Sequence, residues 1–147
     1  MLHIKRLIAF LPLLLLVGCA HTINITPPMN MIDGEGVEKI NKNAAFFISP
    51  ANMALEVTTP GGGGDKIRYM LYQDSAPVME KMLSNIFKEV FKIESLDDTE
   101  FISSNNISYI FIPDLLSNSS STSYSKWPPE QFSLTITCVA KDNAGNT

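Results

Sequence analysis

Val78-Met-Glu-Lys-Met-Leu-Ser-Asn-Ile-Phe-Lys-Glu-Val-Phe91 alternates two apolar residues with two polar ones along its whole length. A four-residue step turns an α-helix by about 400°, so the apolar stripe keeps to one side and drifts by about 40° per step. Asp74 or Ser75 can cap such a helix, and Pro77 suits its first turn. The pattern predicts a helix over 78–91. Val78, Met79, Met82, Leu83, Ile86, Phe87, Val90 and Phe91 face a core, while Glu80–Lys81 and Lys88–Glu89 face water. Burying eight such side chains contributes on the order of 12–24 kcal/mol gross, before entropy is counted. A slowly winding stripe suits packing on a twisted sheet.

The flanking segments supply that sheet. Upstream, Ala44 to Ser49 is a short apolar run ended by Pro50, and Met53 to Thr58 alternates up to Pro60. Both read as strands, with Ser49 to Asn52 as the turn between them. Gly61 to Gly64 reads as a flexible loop, because four glycines lose much entropy on ordering. Downstream, Lys92 to Leu96 reads as a short strand and Thr99 to Ser104 as a helical turn behind Asp97-Asp98. Ile107 to Ile112 is a strand closed by Pro113-Asp114, and Ser117 to Lys126 is a low-complexity polar loop. Gln131 to Ala140 has the clearest period of two. Phe132, Leu134, Ile136 and Cys138 form its expected core face, opposite Ser133, Thr135 and Thr137. This order of elements predicts an α+β domain with one main amphipathic helix packed on a mostly antiparallel sheet. Lys141 to Asn146 has hairpin-turn chemistry with no returning strand after it, so the domain is expected to be truncated at its C-terminal end.

The N-terminus has a different character. Lys5 and Arg6 precede an apolar run from Leu7 to Val17, then Gly18 and Cys19. As a helix the run is roughly 16 Å long against a hydrocarbon core of roughly 30 Å, which fits a signal peptide better than a membrane span. Leu16-Val17-Gly18-Cys19 resembles the lipobox of bacterial lipoproteins. The resemblance implies cleavage before Cys19, a diacylglycerol on its thiol and an acyl group on the new amino terminus. Two or more such chains hold a protein firmly on a bilayer. Ala20, where an Asp favours inner-membrane retention in such lipoproteins, implies the outer membrane.

The expected organisation is a signal peptide over 1–18, a lipidated tether over 19–43 and one periplasmic domain over 44–147. Pro27-Pro28 and Asp33-Gly34-Glu35-Gly36 favour an extended leader that reaches several nanometres at about 3.1 Å per residue. Met29, Met31 and Ile32 are apolar enough to let part of it lie on the domain instead. The gross order of elements loosely resembles small outer-membrane lipoproteins of the YajG-like and lipopolysaccharide-assembly types. No functional residue carries over from that likeness.

Composition restricts the chemistry. Removing residues 1–18 from 147 leaves 129, and the loss of Lys5 and Arg6 turns 11 basic and 15 acidic side chains into 9 and 15, a balance of −6. That sign gives no electrostatic footprint for nucleic acid. With Cys19 acylated, Cys138 is the remaining thiol, and the histidine left is His21, two residues from the anchor. Neither a Cys/His nucleophile pair nor a Cys/His zinc site is expected. Pro60 to Lys66 is glycine-rich, but Asp65 separates Gly64 from Lys66 and Ile67 stands where a phosphate loop needs Ser or Thr, so no nucleotide is expected. Asp97, Asp98 and Glu100 fit a helix start better than a cation site. Trp127, beside Tyr124, is the one candidate contact for a partner or ligand.

The expectation is therefore a non-catalytic, lipid-anchored outer-membrane lipoprotein. It carries no cofactor beyond the lipid on Cys19 and serves as an accessory or structural subunit among other envelope proteins. The alternative is a periplasmic small-molecule or glycan-binding module that uses Trp127, Tyr124 and Tyr109.

Overall fold

The computed structural model describes residues 20–147 apart from 33, 35, 37, 122–126 and 144. Cys19, Tyr124 and the signal segment lie outside the described residues. The chain forms two compact units: a smaller one of residues up to 23 with 58–68 and 118–132, and a larger one of 24–57, 69–117 and 133–147. The strands are β1 (Ala20–Thr22), β2 (Ile40–Phe47), β3 (Glu56–Gly62), β4 (Asp65–Met70), β5 (Phe87–Ile93), β6 (Ile107–Ser120) and β7 (Gln131–Asp142). The helices are α1 (Pro50–Met53), α2 (Leu71–Ile86) and α3 (Thr99–Ser104), with a 3-10 turn over Met29–Met31. One sheet has the order β1-β4-β3 and the other β5-β2-β6-β7, so the α+β class is as expected.

The strand directions correct the expectation of a mostly antiparallel sheet. Interior strand β2 runs parallel to both neighbours, with Ala44 opposite Val90 of β5 and Tyr109 of β6. Parallel strands need a long connection, and residues 48–86 supply it from β2 to β5 and residues 94–106 from β5 across to β6. Adjacent residues of a strand point to opposite faces, and Ala44 and Ala45 are both 0% exposed, so β2 is covered on both sides. That explains the unbroken apolar run, which is the mark of a strand with two buried faces. One cluster joins Ala45, Ile93, Ile102, Ile107 and Ile110, with Phe101 and Leu96 packed against it.

The main helix packs on β2 and β5, as expected, but its limits differ. It starts at Leu71 and ends at Ile86, and the Phe87–Phe91 part of the predicted helix belongs to β5. Phe87-Lys-Glu-Val-Phe-Lys-Ile93 is rich in residues that fit a pleated surface, and pairing with β2 outweighs the four-residue period. The buried line is Leu71, Ser75, Met79 and Leu83, each one step of four apart, while Met82 and Ile86 are exposed. Asp74 and Ser75 are therefore interior residues and not caps. Pro77 also stands inside the helix and gives no N–H to the Gln73 carbonyl, which lies on the exposed side.

Three loop readings change. Gly61 and Gly62 are part of β3, and Gly63-Gly64 form a two-residue hairpin turn into β4, with φ of 62° and 84°. Positive φ at both turn positions matches the right-handed twist of a hairpin, which is why glycine stands there. Pro60 is tolerated within β3 because that strand is the edge of its sheet. Likewise β6 runs on through Pro113 to Ser120, its registered pairs with β2 ending at Phe111. Ser119, read as part of a solvated loop, is buried and bonds the Thr59 hydroxyl at 2.7 Å and the Pro60 carbonyl. The turn read over Ser49 to Asn52 is instead the start of α1, where Ser49 accepts from the Asn52 amide at 3.2 Å. The helical turn expected behind Asp97-Asp98 is α3, started by Asp98 accepting from the Phe101 amide at 3.1 Å.

The leader lies on the protein rather than standing off it. Asn24 and Ile25 donate to the Asp74 carboxylate at 3.2 Å each, and Thr26 donates to the Asp74 carbonyl at 2.8 Å. Farther along, Asn85 donates to the Ile32 carbonyl at 3.2 Å. Gly34 then passes so close to Asn85 that an added Cβ would come within 2.6 Å of that side chain.

Finally, β7 is exposed throughout Gln131–Ala140. The expected burial of one face, Cys138 included, is corrected: Phe132, Leu134 and Ile136 are 42%, 39% and 37% exposed. The strand is the last of its sheet. Beyond it, the Asp142 carboxylate accepts from Asn146 through its backbone amide at 2.8 Å and its side-chain amide at 2.9 Å, closing the turn foreseen there.

Candidate functional site

The smaller unit gathers a set of side chains that spacing alone does not bring together. Strand β1 pairs in parallel with β4, with Ala20 opposite Lys66, His21 opposite Ile67 and Thr22 opposite Arg68. The Ile23 amide donates to the Arg68 carbonyl at 2.9 Å and continues the ladder. Ile67, opposite His21 in this register, is buried. Asp65 follows the glycine turn directly, and its carboxylate lies 3.1 Å from His21 Nε2. The His21 and Trp127 rings meet in a T-shaped contact, with centroids 5.4 Å apart and planes at 62°.

Trp127 thus has a packed side and an open one: it is 50% exposed. Carboxylate, imidazole and indole form a partly wet cluster that combines a hydrogen-bonding pair with an apolar surface. Such a surface suits the headgroup layer of a membrane or the face of a sugar ring. His21 was passed over in the sequence because it stands so near the anchor. The signal that finds it is structural, namely the pairing of β1 with the strand after the glycine turn.

The other sequence candidates fall elsewhere. Tyr109 belongs to the larger unit, where its ring packs against Phe87 at 5.9 Å. A cleft of about 810 Å³ in that unit is lined by Leu96, Asp97, Ile102, Ile107, Lys141 and Asp142, among others, and Trp127 does not line it. Asp98 is engaged as the cap of α3, which agrees with the helix-start reading of the acidic group. Among the described residues no group of three or more His, Cys, Asp or Glu is arranged to hold a metal ion. No helix among them is long and apolar enough to cross a membrane.

The second feature of interest is the β7 edge. Its main chain ends the sheet, and Leu134, Ile136 and Val139 are exposed along it. Contiguous exposed apolar groups on an edge strand are a template for pairing with another chain. Comparison with protein-family models, with curated proteins and with solved structures returned no match.

Proposed function

We propose that the protein is a non-catalytic lipoprotein, anchored by acyl chains on Cys19 to the outer membrane and facing the periplasm. It acts there as an accessory or structural subunit of an envelope assembly. The anchor rests on Leu16-Val17-Gly18-Cys19 behind a short apolar run. The observation that carries the subunit role is the exposed apolar edge of β7. A strand of that kind gains main-chain hydrogen bonds and buries Leu134 and Ile136 when a partner adds to it.

Two experiments test the two halves. Cys19→Ser is expected to abolish labelling by radioactive fatty acid and to release the protein from membranes; unchanged retention would refute the anchor. Crosslinkers placed at Leu134 or Ile136 in cells are expected to capture discrete envelope proteins, and recovery of monomer alone would refute the subunit role.

A glycan-binding role is the alternative, favoured by the half-exposed Trp127 beside His21 and Asp65. Its expected sign is a saturable change in tryptophan fluorescence on titration with soluble oligosaccharides.

A further inference from the structure

The inference rests on the reading that Cys19 is acylated. Given that anchor, the free linker has almost no length. Ala20 is already paired with Lys66, so one peptide unit, about 3.8 Å between Cα atoms, separates the lipidated residue from ordered strand. An extended tether of twenty residues would instead reach about 60 Å. The N-terminal end of β1 is thereby held at the bilayer surface, and whatever flanks it meets the headgroups.

What flanks it is Trp127. His21 is two residues past Cys19, and its ring touches the indole at a centroid distance of 5.4 Å. Covalent geometry and that ring contact place the indole within on the order of 15 Å of the Cys19 Cα. Half of Trp127 is exposed, and an indole is an apolar surface with one N–H donor, the chemistry that settles at the membrane–water boundary. Exposed Lys66, beside Ala20, adds an ammonium that suits phosphate oxygens, while neighbouring Asp65 keeps the local charge balanced.

We propose that Trp127 makes a second, non-covalent contact with the phospholipid headgroup layer, so that the smaller unit rests on the bilayer instead of swinging from it. His21 props the indole, and the Asp65 carboxylate holds His21.

Trp127 is the one tryptophan of the chain, so its fluorescence has a single source. The full chain would be produced with its acyl groups, verified by mass spectrometry, and reconstituted in phosphatidylethanolamine–phosphatidylglycerol vesicles with or without bromine on the acyl chains near the glycerol. Expected results are blue-shifted emission relative to the Cys19→Ser protein and quenching of at least twofold by the brominated lipid. His21→Ala is expected to reduce that quenching without detaching the protein. Acylated protein that floats with the vesicles yet shows neither shift nor quenching overturns the proposal and leaves the anchor standing. Emission that responds to soluble oligosaccharide and not to brominated lipid overturns it in favour of a glycan site. Protein with no acyl group on Cys19 overturns the reading beneath it.

Discussion

The carboxylate of Asp74, buried in the third residue step of α2, accepts the backbone N–H of Ile25 at 3.2 Å. The same side chain accepts from the Asn24 side-chain amide, and the Asp74 backbone carbonyl accepts from the Thr26 hydroxyl. Residues 24–26 are stitched to the start of the helix by one residue. Asp74→Ala leaves the Ile25 amide and the Asn24 side-chain amide without their acceptor, while the Thr26 bond to the backbone carbonyl remains, and is expected to destabilise the protein by about 1–3 kcal/mol. Urea unfolding measures the loss, and hydrogen exchange at Ile25 should rise with it. An unshifted midpoint would refute the stitch.

The glycine turn tests backbone geometry alone. Gly64 has φ of +84° and open space where a Cβ would go, so Gly64→Ala meets conformational strain without a clash. The expected cost is about 1–2 kcal/mol, and Gly64→Asn should cost less because Asn visits that region more readily. Thermal denaturation of the pair should rank them in that order. Equal stability of all three proteins would mean that the turn is not fixed.

Tyr72 joins the helix start to β6. Its hydroxyl donates to Asp114 at 3.3 Å and accepts from the Leu115 amide at 3.1 Å. Tyr72→Phe strands that buried amide, with an expected loss of about 1–3 kcal/mol. Tyr69→Phe removes a bond to the half-buried Ser117 hydroxyl, which can turn to water, and should cost less. The comparison is made by chemical denaturation, and the reverse order would contradict the burial assigned to Leu115.

Charge on β7 distinguishes an exposed strand from a core strand. Leu134→Lys and Ile136→Lys should each leave stability within about 0.5 kcal/mol, as surface changes do. If those residues were buried, even truncation would cost about 2–5 kcal/mol. With the crosslinker at Ile136, Leu134→Lys should lose the crosslinks proposed for that edge.

Cys138 is exposed as a residue, yet partial burial pushes its thiol pKa above the ordinary value. Desolvation disfavours the thiolate, so less of the reactive form exists at a given pH. Iodoacetamide should therefore label the folded protein more slowly than the urea-unfolded chain at pH 8. The folded rate should keep climbing to higher pH than the unfolded one. Identical pH profiles would refute the shift.

Much of the fold was legible where local chemistry decides it. Asp97-Asp98 announced the helix behind them, Thr99–Ser104 was read at its observed limits, and the apolar run from Ala44 to Ser49 was read as a strand that overlaps β2. What escaped depends on partners distant in sequence. The 87–91 segment follows a helical period but pairs with β2, and the glycine run becomes ordered because Asp65–Met70 returns along it. The exposure of Phe132, Leu134 and Ile136 was hidden for the same reason, since alternation tells which residues share a face and not whether anything covers it. At the candidate site Trp127 was visible as an isolated aromatic, whereas His21 and Asp65 become its neighbours only through the β1–β4 pairing.

Ile86 closes α2 and Phe87 opens β5, with the Phe87 amide still bonded to the Leu83 carbonyl. No intervening residue absorbs a change of torsion at this joint. A twist of the helix must be taken up as a shift of Phe87 against Phe111, and hence as slippage along the β2 ladder. Inserting a single glycine between positions 86 and 87 would decouple the two like a universal joint, and would turn the strand's inward side chains outward.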